Sequence, residues 1–173
     1  RPKGIVHSQR GLAARVMLNV AFIGQADLVR SLCVLPLHFG HGLIGNTLSV
    51  MAAGGTITLW PQPSIAEMRD FGPLVDRHRV TFMSSTPSFW NVAMRLSPRP
   101  GQAMKRVHVG SAPLSIEHWC AIAGWTGTRR VFNMYGMTET ANWIGGACLD
   151  DGGAADGCVG RPWGGAAAVL DDS

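Results

Sequence analysis

The residues with the clearest chemical potential are Asn133-Met134-Tyr135-Gly136-Met137-Thr138-Glu139-Thr140, which follow an apolar, strand-like stretch at Arg129–Phe132. Tyr135 can offer a flat aromatic face to a nucleobase, and Gly136 lets the backbone turn or come close to a ligand. Thr138 can donate a hydrogen bond to a phosphate, and Glu139 can hold a hard cation through oxygen. Taken singly, these residues are equally compatible with a loop carrying a buried tyrosine and a helix-capping threonine. Their order and spacing point to nucleotide handling.

A second segment, Gly110-Ser111-Ala112-Pro113-Leu114, closes a strand-like stretch at Arg106–Val109 and precedes a helix that Ser115 can cap. Its small residues let backbone groups approach a planar ligand, although a plain strand-to-helix turn uses the same residue types. A third, Leu35-Pro36-Leu37-His38-Phe39-Gly40-His41-Gly42-Leu43, places an aromatic ring and two histidines ahead of a helical pattern. His38 and His41 can cap that helix or satisfy polar groups in the core. Within it, Gly40-His41-Gly42-Leu43-Ile44-Gly45 also fits the G-x-G-x-x-G fingerprint of a dinucleotide fold. Against that reading, four residues separate the strand from the first glycine, and the next strand ends in Trp60-Pro61 without an acidic partner for a ribose.

Together these segments resemble the adenylate-forming (AMP-binding) superfamily, which includes acyl-CoA synthetases and the adenylation domains of nonribosomal peptide synthetases. The octapeptide is similar to its Y-G-x-T-E motif, and Gly110–Leu114 to its G-[GSA]-[AE]-P-L adenine segment. Leu35–Leu43 resembles P-L-F-H-x-x-G-L with a departure, His38 standing at the usual aromatic position and Phe39 at the usual histidine. Gly157–Gly164 resembles the G-x-V-G-x-P-x-x-G turn, Val80–Ser88 a family strand and helix start, and Arg1-Pro2-Lys3-Gly4 the end of the phosphate loop T-S-G-T-T-G-x-P-K-G. The motifs occur in the expected order from residue 1 to about residue 171.

The resemblance implies ATP-dependent activation of a carboxylic acid to an acyl-adenylate, followed by transfer to CoA, as in fatty acid metabolism; a carrier-protein thiol is the alternative acceptor. It implies that Tyr135 stacks on adenine, with Asn133 and the backbone of Ser111, Ala112 and Pro113 at its edge and Met134 and Gly136 beside it. Thr138 would bind a phosphate, Glu139 would coordinate Mg²⁺, and Lys3 would belong to the mobile phosphate loop. Phe39, Val109, Met134, Met137 and Trp143 are the expected walls of the acid pocket, plain core packing being the competing role for Val109 and Trp143. No acidic residue is obviously placed for an amino-acid ammonium, which favours an acyl-CoA synthetase over a peptide synthetase. A non-catalytic nucleotide-binding remnant and, last, an NAD-binding domain complete the alternatives.

These residues need elements to hold them. Apolar runs alternate with helical patterns, which argues for an α/β fold of mixed β-sheets flanked by helices, implied by the resemblance to be part of the large N-terminal domain of an acyl-CoA synthetase. Strands are expected near Gly4–His7, Ser31–Pro36, Thr56–Trp60, Val80–Met83, Arg106–Val109, Arg129–Phe132, Trp143–Cys148 and Ala166–Leu170. Helices are expected over Gln9–Ile23 and His41–Ala53, from Ser64 towards Arg77, from Pro87 to Leu96, and from Ser115 to about Ala123. Residues 1–173 are expected to be one partial domain, an internal piece of a larger enzyme that is inactive and poorly soluble on its own.

Composition narrows the classes. Of 15 basic residues only Lys3 and Lys105 are lysines, and the arginines are scattered without an aromatic-basic stripe, so the net charge of +4 gives no case for nucleic acid. The four cysteines show neither C-x-x-C pairing nor histidines at ligand spacing, which fits reduced thiols in a cytoplasmic protein rather than a zinc site or a secreted disulfide framework. No apolar run approaches the roughly 18 residues of a membrane span, since Arg15 and Asn19 interrupt Leu12–Ile23.

Overall fold

The computed structural model describes residues 4–168 and 170. Its centre is a seven-stranded mixed sheet in the order β2-β1-β3-β4-β5-β6-β7. The strands are β1 (Arg30–Cys33), β2 (Thr56–Leu59), β3 (Phe82–Ser85), β4 (Arg106–Gly110), β5 (Val131–Gly136), β6 (Trp143–Cys148) and β7 (Arg161–Pro162). The first five run parallel, β6 runs antiparallel to β5, and β7 antiparallel to β6. Every residue of β3 and β4 is buried, as expected for parallel strands covered on both faces.

Strand alternation sorts the core into two layers. On one face Leu32, Met83, Val107, Val109 and Val131 pack against Phe71, Val75, Trp90, Trp119, Ile122 and Trp125. These come from the helices α3 (Phe71–His78), α4 (Pro87–Leu96) and α5 (Ile116–Thr126). On the other face Phe82, Phe132, Met134 and Trp143 meet Ile23 and Val50, which belong to α1 (Gln9–Ile23) and α2 (Ser49–Ala52).

Helix boundaries follow local chemistry. Ser8, Thr86 and Ser115 each accept a backbone N–H from the first turn of α1, α4 and α5, and Pro87 sits where a missing N–H costs nothing. Ser64 and Glu67 form the expected capping box, with Ser64 N donating to Glu67 Oε2 at 2.7 Å and Glu67 N to Ser64 Oγ at 3.3 Å. A single 3-10 turn, Glu67–Asp70, then intervenes before α3 begins.

Four expectations change. Gly4–His7 is not a strand, nor are residues 166–168 and 170, while residue 169 lies outside the described set. The strand expected at Val80–Met83 is shifted to Phe82–Ser85, and the helix expected over His41–Ala53 is a π-helix, His41–Leu48, that passes into α2. Two hydroxyls reinforce the wide turn across five residues, with Thr47 Oγ1 donating to the Gly42 carbonyl at 3.0 Å and Ser49 Oγ to the Ile44 carbonyl at 2.8 Å. Among the described residues no helix is long and apolar enough to cross a membrane.

The fold rests on large buried aromatics, and Trp119 adds a hydrogen bond from Nε1 to the Val131 carbonyl at 2.8 Å that ties α5 to β5. Trp119→Ala should destabilise the protein by about 3–5 kcal/mol. Trp119→Phe should cost less, and urea titration of both variants separates the lost packing from the lost hydrogen bond.

Candidate active site

The site lies where the parallel strands end. Gly110 of β4 pairs with Met134 of β5, so the Ser111–Pro113 turn and the Tyr135–Gly136 pair leave the sheet side by side at its C-terminal edge. In open α/β sheets this is where ligands bind. Ser111 holds a left-handed backbone at φ 68°, unusual for a residue with a side chain, and Leu114 is buried and anchors the far end of the turn. Register shifts between Tyr135 and Gly136, where Cβ on Gly136 would stand 2.4 Å from the Asn142 carbonyl oxygen, so only glycine lets the two chains approach.

Beside this edge is a cavity of about 420 Å³ lined by Leu35, Pro36, Phe39, Gly40, His41, Thr86, Ser111, Met134, Gly136, Met137, Thr138, Ala141, Asn142 and Trp143. The strand alternation that points Met134 and Gly136 to this cavity leaves Asn133 and Tyr135 out of its lining. Tyr135 is exposed, and so are Ala112 and Pro113 on the neighbouring turn. Asn133 is buried, and its Nδ2 donates to the Cys158 carbonyl at 2.8 Å, tying β5 to the glycine-rich segment that follows β6. Val109 is fully buried among the helices of the other layer and lines no part of the cavity. Phe39, Met134, Met137 and Trp143 do line it, with Phe39 exposed at the rim.

Thr138 and Glu139 begin a 3-10 turn, Thr138–Thr140, that bends the chain back towards Asn142. The Thr138 carbonyl accepts from His7 Nε2 at 2.7 Å, and Thr138 lines the cavity. Glu139 is exposed, and among the described residues its carboxylate makes no hydrogen bond or ion pair. No group of three or more His, Cys, Asp or Glu is arranged to hold a metal among the described residues. A single exposed carboxylate is compatible with Mg²⁺, which keeps several waters and needs only one or two protein oxygens. Lys3 lies outside the described residues.

Sequence reasoning passed over His41 as a pocket residue. Its Nδ1 lies 2.9 Å from Ser111 Oγ and its Nε2 2.6 Å from Ser84 Oγ, and the ring meets Trp143 edge-on at 5.3 Å. Burial pushes its pKa down to about 4, so the ring is neutral at physiological pH. His108 on β4 contacts the other side of the same cluster, with its ring 4.9 Å from that of Trp143. Burial, and then the charge of Arg106, hold it well below the ordinary imidazole range. Arg106 donates from Nε to His108 Nε2 at 2.8 Å and lies over the Phe132 ring at 3.8 Å, and burial lowers its pKa to about 10.

The glycines that suggest a dinucleotide fingerprint have a packing role. A Cβ on Gly42 would meet the Pro36 carbonyl oxygen at 2.5 Å, and one on Gly45 would meet the Trp143 ring at 2.8 Å. They seat the π-helix against the cavity wall. Asn142 closes the arrangement, with its Nδ2 donating to the Gly40 carbonyl at 3.1 Å while its Oδ1 accepts from Asn19 Nδ2 at 3.2 Å.

With this geometry in place, the sequence matches the AMP-binding enzyme family over residues 1–173. The chain belongs to that family. It is 33% identical to the sulfoacetate–CoA ligase of Cupriavidus necator across 98% of this chain and 33% of that protein. It is 26% identical to a dimodular nonribosomal peptide synthase of Bacillus subtilis over 99% of the chain, which is 7% of that protein. Among solved structures it superposes on the unliganded O-succinylbenzoate coenzyme A synthetase (MenE) of Bacillus subtilis with a TM-score of 0.76 at 25% identity, covering 93% of this chain and 33% of that one. The fold is thus that of part of an acyl-CoA synthetase, and the chain spans about a third of the length of such relatives.

His41 and His108, both held below the ordinary imidazole range, give this fold a pH dependence. An unfolded chain takes up a proton on each histidine near pH 6.5, whereas folded His41 does so only near pH 4. Stability is therefore full above about pH 6.5 and falls as pH drops towards 4, where the unfolded state binds the extra protons. Urea midpoints should decline between pH 7.5 and pH 5, and His41→Gln should flatten part of that decline.

Proposed function

We propose that the protein to which this chain belongs activates a carboxylic acid with ATP and passes the acyl group to CoA. The observation that carries this reading is that the cavity of Phe39, His41 and Trp143 opens at the same sheet edge as the Tyr135–Glu139 and Ser111–Pro113 segments. An acid seated in the cavity then has its carboxylate next to a nucleotide held at that edge. A carboxylate oxygen attacks the α-phosphorus of ATP, the bond to the bridging oxygen breaks, and pyrophosphate leaves. The thiol sulfur next attacks the acyl carbon, and AMP departs.

In this reading exposed Tyr135 packs against adenine, and the backbone of Ser111, Ala112 and Pro113 borders it. Asn133 acts indirectly, holding β5 in place through Cys158, since its side chain is already engaged. Thr138 donates to a phosphate oxygen, and Glu139, with Mg²⁺ bound, offsets the charge that builds as two anions meet. Lys3 belongs to the phosphate loop. Phe39, Met134, Met137 and Trp143 bound the acyl group, and Val109 supports them from the core. A cytoplasmic location, where ATP and CoA are abundant, fits this chemistry.

None of the described residues lining the cavity is acidic. An amino-acid ammonium would be desolvated there without a counter-charge, which favours simple acids over amino acids. Likeness to a peptide synthase keeps a carrier-protein thiol as the alternative acceptor.

The test is acid-dependent exchange of labelled pyrophosphate into ATP by the complete protein, across octanoate, benzoate, sulfoacetate and a set of amino acids. At least one non-amino acid should support exchange. Thr138→Ala and Glu139→Gln should each slow it by about 10²- to 10³-fold while circular dichroism stays unchanged. Exchange with amino acids alone would replace CoA by a carrier protein, and wild-type rates in both variants would remove the assigned roles.

A further inference from the structure

His41 is held at both ring nitrogens, by Ser111 Oγ at 2.9 Å and by Ser84 Oγ at 2.6 Å. A neutral imidazole carries one proton, so it donates at one nitrogen and accepts at the other. Two directions are possible for the chain of three side chains. If Nε2 carries the proton, it donates to Ser84 Oγ, and the Ser84 hydroxyl proton needs an acceptor elsewhere. Ser84 is fully buried, and His41 is its side chain's one hydrogen-bond partner among the described residues. That direction strands a buried donor, which folded proteins avoid.

In the opposite direction the donors of both Ser84 and His41 are used. Ser84 donates to Nε2, Nδ1–H donates to Ser111 Oγ, and the Ser111 proton is left over. Ser111 is exposed and lines the cavity, on a turn whose left-handed backbone fixes where its side chain begins. We infer that Ser84 and His41 are positioning residues that set Ser111 as a hydrogen-bond donor into the cavity, aimed at an acceptor oxygen of the bound acid. The two bonds upstream polarise that hydroxyl further, because hydrogen bonds in a chain strengthen one another. The lack of carboxylates among the described residues of the cavity lining agrees with a ligand that accepts there.

This inference rests on the acid-activating reading for the ligand's identity, but not for the direction of the relay. The direction is read by NMR of the protein labelled with ¹⁵N-histidine. His41 should show the Nδ1–H tautomer at pH 7.5, and the Nε2–H tautomer would overturn the relay. The consequence for binding is read in exchange kinetics with whichever of octanoate, benzoate or sulfoacetate is most active. Ser84→Ala does not touch the cavity, yet it should raise KM for the acid on the order of tenfold, the scale of one hydrogen bond to a charged acceptor, with KM for ATP unchanged.

Ser111→Ala should give a similar rise, and the double variant should be no worse than either single one. His41→Gln, which keeps one donor and one acceptor, should retain most of the affinity that His41→Ala loses. Additive losses, or equal shifts in KM for acid and ATP, would overturn the assignment. A protein that exchanges none of the acids removes the proposed reaction, and the tautomer still decides the relay.

Discussion

The close approach of the π-helix His41–Leu48 to the start of β6 is the constraint on which the site depends. Gly45 lies against the Trp143 ring where any larger residue would collide, and Asn142 links the Gly40 carbonyl to Asn19 on α1. A buried polar group stays in place only when its partners are present, so the Asn19–Asn142–Gly40 bridge fixes the helix against the sheet more firmly than apolar packing alone. A wide π turn is uncommon and recurs at functional positions. Here it brings His41 into the cavity wall while Phe39, just ahead of it, is exposed at the rim.

That one contact joins two halves of the chemistry. The Leu35–Gly45 segment leaves β1 on one side of the cavity, and the Gly136–Trp143 segment connects β5 to β6 on the other. Neither encloses a ligand alone. The same junction gathers the two histidines, since the Trp143 ring meets both His41 and His108 edge-on. The cavity is walled by neutral polar groups and aromatics, with exposed Thr138 in its lining and exposed Glu139 next to it in the chain; in the proposed reading the acyl group sits inside and the phosphate charge outside.

Much of this was legible in the sequence, for reasons that differ by element. Helices α1 and α4 have the limits expected of them, because Ser8, Gly24, Thr86 and Pro87 are local signals that tertiary structure had no cause to override. The pairing of the Ser111–Pro113 turn with the Tyr135 segment followed from motif order. Alternation along β5 turns Asn133 out of the cavity lining, which a motif does not reveal because it does not say which face a residue takes. Val109 fell to the core by the same alternation on β4. His41 could not be recognised as a pocket residue, since its placement goes with a π turn reinforced by the Thr47 and Ser49 hydroxyls and with contacts to Asn142 and Trp143, a hundred residues distant in sequence. The missing strands at Gly4–His7 and at the described residues of 166–170 reflect apolar runs with no neighbouring strand to pair with among the described residues.

The central claim is that one continuous site runs from the Phe39–Trp143 cavity to the exposed face of Tyr135. A crystal structure of the complete protein with a non-hydrolysable acyl-sulfamoyl adenosine would test it most directly. The account predicts the acyl chain between Phe39, His41 and Trp143, the sulfamoyl group by Thr138, and the adenine between Tyr135 and the Ser111–Pro113 turn. An analogue seated instead in the second hollow, between Phe22, Cys148 and Trp163, with the first cavity empty, would contradict it.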